Sequence, residues 1–65
     1  MFIISLFGPM DAYEELNYFF ESEDVAEAFF RGITAMDQYS RHEIYFGKRM
    51  ELSSGNYHWV ELMCN

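Results

Sequence analysis

The hydrophobic period of this chain changes twice, and that change restricts its fold more than any other feature. Leu16, Tyr18 and Phe20 alternate with Glu15, Asn17 and Glu21, the period of a half-buried strand over Glu15 to Glu21. After Phe20 the apolar residues Val25, Ala28, Phe29, Gly32, Ile33 and Met36 follow at steps of three and four, which is helical spacing. From His42 to Leu52 the period returns to two, with Ile44, Phe46, Met50 and Leu52 set against Glu43, Tyr45, Gly47, Arg49 and Glu51. Lys48 interrupts that set, either at a strand end or with its stem laid along apolar surface.

The opening run Met1 to Phe7 is β-branched and aromatic, too short for a helix, and closed by Gly8 and Pro9. Ser53-Ser54-Gly55-Asn56 reads as a turn, with a last strand from Tyr57 to Met63. The order is therefore strand, strand, helix, strand, strand. That predicts one α+β domain spanning residues 1–65, in which a single helix covers one face of a four-stranded, mainly antiparallel sheet. The link from Gly8 to Glu14 is either an irregular hairpin loop or a helical turn.

The helix is predicted from about Ser22 to Gln38, with Phe29 and Ile33 as its core anchors. Ser22 is the natural N-cap, with Glu23 and Asp24 at the positive end of the helix dipole; Asp24 capping with Glu27 is the competing register. Gly32 lies on the apolar stripe and is expected to let the helix approach the sheet. Phe2, Ile4 and Leu6, then Leu16, Tyr18 and Phe20, then Ile44, Phe46 and Met50, then Val60 and Leu62 are expected to face the helix. The opposite face then carries Phe7, Phe19, Tyr45, Tyr57 and Trp59 among Ser5, Asn17 and Arg49. One helix leaves that aromatic face open, so a second copy or another protein is expected on it, with Phe19, Tyr45, Tyr57 and Trp59 as contacts.

Length sharpens the same point. A 65-residue chain buries only roughly 60% of the surface its unfolded form exposes, and a core of that size supplies about 3–5 kcal/mol. Cys64 is the one cysteine, so no internal disulfide adds to this. A lone cysteine and the absence of an Asn-x-Ser/Thr sequon point to a reducing, cytoplasmic home. Met1 to Phe7 has no basic n-region and its apolar run stops at Gly8 and Pro9, so no secretory leader or membrane span is expected.

Few constellations here carry chemistry. His42 and His58 match no metal-ligand spacing with Glu43, Glu61 or Cys64, and they read as strand or loop histidines. Cys64 lies too close to the chain end for the rigid, electropositive setting of a nucleophilic thiol. Gly8, Gly32, Gly47 and Gly55 are scattered rather than clustered into a phosphate cradle. The adjacent pairs Glu14-Glu15 and Glu23-Asp24 point in different directions and make poor acid/base partners. No catalytic, metal or cofactor site is expected.

Charge says more. The net charge is -7, and between Asp11 and Glu27 the chain carries Asp11, Glu14, Glu15, Glu21, Glu23, Asp24 and Glu27 with no basic residue, whereas Arg31, Arg41, Lys48 and Arg49 all follow. Such a chain repels phosphate backbones and anionic lipids. Its acids either keep it soluble or meet a basic surface on a protein partner, where carboxylates beside aromatic rings imitate a nucleic-acid strand. Glu14, Glu15, Glu21, Glu23, Asp24 and Glu27 are the candidate contacts.

The acidic segment, the junction Tyr18-Phe19-Phe20-Glu21-Ser22-Glu23-Asp24 and the aromatic Tyr57-His58-Trp59 together resemble the small acidic early proteins of bacteriophages. That resemblance implies a stoichiometric, non-catalytic inhibitor of a host defence or nucleic-acid enzyme, as anti-CRISPR and other counter-defence proteins are, acting in the host cytoplasm. The alternatives are an oligomer that stacks a nucleotide-like ligand on Tyr45, Tyr57 and Trp59, for which Arg31, Arg41, Lys48 or Arg49 must converge, and a structural or assembly protein.

Overall fold

The structure, a computed structural model, describes residues 1–9 and 14–65. Its elements are β1 (Phe2–Phe7), β2 (Glu15–Phe20), α1 (Glu23–Thr34), a 3-10 turn (Asp37–Tyr39), β3 (Glu43–Glu51) and β4 (Tyr57–Cys64). The strands form one sheet in the order β2-β1-β3-β4, every neighbouring pair antiparallel. The expected ββαββ, α+β architecture is thus the observed one. Gly8 N–H donates to the Glu14 carbonyl at 2.8 Å and closes the first hairpin; the expected choice between loop and helical turn falls largely on residues 10–13, outside the described residues.

Ser22 wins the competition to cap α1. Its backbone is extended, its Oγ accepts from Val25 N–H at 3.5 Å, and its carbonyl accepts from Ala26 N–H at 3.1 Å. Two corrections apply to the helix. It ends at Thr34 rather than near Gln38, because Met36 turns extended (φ -86°, ψ 128°) before the 3-10 turn begins. Its buried stripe is Ala26, Phe30 and Ile33, and Phe29 packs at the margin against Tyr18 and Phe20. Val25 and Met36, expected inside, are exposed. Gly32 is also on the solvent side, where an added Cβ meets nothing within 4 Å, so it does not mediate close approach.

The core joins those three helical residues to Phe2, Ile4 and Leu6 of β1 and Ile44 and Phe46 of β3. These strand residues all belong to the face expected to meet the helix, and Leu16 and Phe20 border them. Further along the sheet that expectation fails, for reasons of length and register. A 12-residue helix is about 18 Å long, whereas the nine residues of β3 extend about 30 Å. Met50, near the far end of β3, therefore remains exposed, and Val60 does too because α1 packs on β1, β2 and β3 and does not reach the edge strand β4. A register shift between Phe46 and Gly47 leaves Leu62 without an opposite residue and sets Met63 across from Phe46, so Met63 rather than Leu62 packs on the core.

The second hairpin closes with a three-residue loop. Leu52 N–H donates to the Asn56 carbonyl at 2.7 Å and Gly55 N–H to the Leu52 carbonyl at 3.0 Å. Gly55 takes φ +86°, the left-handed position that such a loop assigns to glycine.

Candidate functional site: the outer face of the sheet

Strand alternation sends the odd-numbered residues of β1 and β3 away from the helix. The register then sets each beside named neighbours. Ile3 lies between Phe19 and Gly47, Ser5 between Asn17 and Tyr45, and Phe7 between Glu15 and Glu43. Further out, Arg49 is opposite Trp59 and Glu51 opposite Tyr57. All five aromatics expected on this face are on it. Phe7 meets Tyr45 edge-on with centroids 5.7 Å apart, Tyr57 meets Trp59 edge-on at 6.1 Å, and Phe19 approaches Trp59 to 6.3 Å. Among the described residues no helix packs over them.

Gly47 is the low point between these rings. A Cβ there would come within 3.3 Å of both Ile3 Cγ2 and the Val60 carbonyl oxygen, tighter than ordinary van der Waals contact, so an added side chain would crowd its neighbours. The result is a shallow groove of about 270 Å³ lined by Ile3, Ser5, Phe7, Tyr45, Trp59 and Glu61. Ser5 Oγ donates to Asn17 Oδ1 at 2.7 Å and leaves one polar pair beside the groove.

The groove has a negative field. The Glu43 carboxylate beside Tyr45 raises its phenol above the ordinary 10.0, helped by partial burial, by the Tyr45 hydroxyl donating to Glu43 Oε2 at 3.3 Å, and by Cys64 and Glu61. Glu15, Glu43 and Glu61 thus interleave with Phe7, Tyr45 and Trp59. Arg49 is the basic residue of this face among those described; it pairs with Glu51 at 2.9 Å and its guanidinium lies 5.1 Å from the centre of the Tyr57 ring.

The six acids named from sequence do not form one surface. Glu14 and Glu15 stand at one end of β2, and Glu21, Glu23 and Asp24 at the other, across a strand of six residues that extends about 20 Å. Glu27 lies on α1 and pairs with Arg31 at 3.0 Å. Asp11 lies outside the described residues. Among the described residues, only Glu15 is both in the acidic segment and on the aromatic face. Glu43 and Glu61, weighed in the sequence only as metal partners, are left out of the candidate contacts, although Glu43 shares the parity of Tyr45 and Glu61 that of Trp59, and parity alone identifies both.

The two histidines lie apart from this face, whereas Cys64 borders it. The His42 ring packs edge-on against Tyr39 at 5.2 Å, while His58 lies opposite Met50. Cys64 is a free, exposed thiol opposite Tyr45. Among the described residues no three His, Cys, Asp or Glu side chains gather as a metal site, and no helix is long and apolar enough to cross a membrane. A second open groove, about 460 Å³, runs along the helix side between Tyr18, Phe29, Gly32, Ile33, Met36 and Tyr39 and is wholly uncharged. No family model, curated protein or solved structure matches the chain.

Proposed function

We propose that the chain is a non-catalytic protein-binding module whose outer sheet face receives a basic surface of its partner. The observation that carries this reading is the interleaving of Glu15, Glu43 and Glu61 with Phe7, Tyr45 and Trp59 on one uncovered face. Carboxylates beside ring faces attract Lys and Arg side chains by charge and by cation–π contact. The same pattern of acid and ring competes with a nucleic-acid strand for a basic groove. A stoichiometric inhibitor of a nucleic-acid or defence enzyme, the class implied by the resemblance to bacteriophage early proteins, is the form of partner modulation this surface suits best.

A nucleotide-binding oligomer has less support. Arg49 stands opposite Trp59 but is engaged with Glu51, and Arg31 is held by Glu27 on α1, so the two guanidiniums do not converge on one ligand as phosphate recognition needs. Capture from host lysate with tagged wild-type, Trp59→Ser and Glu43→Lys protein, at low and high salt and with nucleotide extraction of the bound fraction, tests the reading. A protein held by wild type, released by salt and lost with both variants supports it. Retained nucleotide, or a partner held equally by all three, contradicts it.

A further inference from the structure

The β4 strand ends the sheet, and eight residues from Tyr57 to Cys64 offer their outer edge to solvent. We infer that this edge pairs antiparallel with the β4 edge of a second copy, joining two four-stranded sheets into one of eight strands. This inference is independent of the reading above.

Three observations lead to it. The hydrogen bond from Leu52 N–H to the Asn56 carbonyl sets the phase of the β3–β4 ladder. Alternation then turns the backbone groups of His58 and Val60 toward β3 and those of Tyr57, Trp59 and Glu61 outward. The strand holds neither lysine nor proline, two residues that commonly blunt a free edge. It is also apolar on both sides, with Tyr57, Trp59, Val60 and Leu62 all exposed.

Charge selects a second copy as the occupant. The chain carries -7, yet the hairpin from Lys48 to Val60 holds Lys48 and Arg49 against Glu51 alone, so two copies repel least where these hairpins meet. The other edge, β2, is flanked by Glu14, Glu15 and Glu21, and antiparallel pairing there would bring those acids of one copy against those of the other. On β4 the outward groups pair as a self-complementary set when the two-fold axis passes at Trp59. Trp59 then faces itself, and Tyr57 faces Glu61 of the partner subunit, which keeps the two Glu61 carboxylates apart. The bulge between Glu61 and Leu62 ends the pairing there. The two aromatic faces become one continuous surface.

Amide hydrogen exchange combined with light scattering across a dilution series tests this. The expected result is a species of twice the 7.8 kDa chain mass in which the Tyr57, Trp59 and Glu61 amides exchange roughly tenfold or more slowly than in the dilute monomer. Trp59→Pro removes one outward N–H without touching the β3 ladder, and should be folded by circular dichroism and monomeric. A chain that stays monomeric throughout, a dimer whose three amides exchange freely, or a folded Trp59→Pro that still dimerises overturns the inference. Should Trp59→Pro fail to fold, the wild-type exchange pattern decides alone.

Discussion

Phe19 on one edge strand and Trp59 on the other bring their rings within 6.3 Å of each other across two intervening strands. Neighbouring strands stand about 4.8 Å apart, so two side chains three spacings apart meet only if little rises between them. Ile3 and Gly47 occupy that ground. The floor of the proposed binding face is therefore set by a residue with no side chain.

Gly47→Ala should destabilise the fold. The new Cβ meets the Val60 carbonyl oxygen, which is backbone and cannot turn aside. Overpacking of this kind costs roughly 1–3 kcal/mol, and the entropy that alanine saves offsets about 0.5–1 kcal/mol. Urea unfolding should show a net loss of stability and a changed Trp59 emission. An unchanged midpoint would mean that Gly47 is not tightly enclosed.

Phe30→Ala should be far more damaging than Phe29→Ala. Phe30 is 4% exposed and stacks toward Phe46 with centroids 6.0 Å apart, and losing a buried Phe costs about 3–5 kcal/mol, comparable with the whole stability expected of such a small core. Phe29 loses only marginal contacts with Tyr18 and Phe20. Thermal unfolding of the two variants side by side checks this, and a reversed order would return the helix to the phase read from the sequence.

The neighbouring Phe29 and Phe30 explain why that phase was illegible. Both satisfy steps of three or four with Ile33 in one direction, and Ala26 is a weaker signal than Val25. The strand order, the Ser22 cap and the division of aromatic residues between two faces were legible, since each follows from period two or from a local hydrogen bond. The bulge beside Leu62 was not, because one unpaired residue leaves no mark in an alternating pattern. The division of the acidic segment depends on β2 being fully extended between Glu15 and Phe20, which places its two ends at opposite sides of the domain.

Tyr45 should titrate above the ordinary phenol value, chiefly because of Glu43. A phenol whose pKa is raised on folding binds its proton more tightly in the folded state. Its contribution to stability is complete below the unfolded value of 10.0 and is lost as pH rises through the folded value. Ultraviolet absorbance titration should show this phenolate forming at lower pH in Glu43→Gln. An unmoved titration would remove Glu43 as the source of the field on the outer face.

Asn65 holds the start of β3 by both ends of its side-chain amide. Its Oδ1 accepts from Ile44 N–H at 2.9 Å and its Nδ2 donates to the His42 carbonyl at 2.8 Å. Asn65→Ala should cost roughly 1–2 kcal/mol, about 0.5–1.5 for each bond less what water restores. Hydrogen exchange at the Ile44 amide should rise with it, and an unaffected Ile44 amide would show that the side chain does not hold this strand.

Charge reversal at two places on the same chain tests the central claim most directly. Glu15→Lys/Glu43→Lys alters the aromatic face, and Glu21→Lys/Glu23→Lys alters the β2–α1 junction, where Glu23 contributes about 0.3–1 kcal/mol through the helix dipole. Association rates with the captured protein partner are to be measured against ionic strength for both variants and wild type. The account predicts that reversal on the outer face slows association by roughly tenfold or more and flattens its salt dependence, while reversal at the junction lowers thermal stability and leaves the rate near wild type. Slowed association from the junction variant, with an unchanged rate from the outer-face variant, would contradict it.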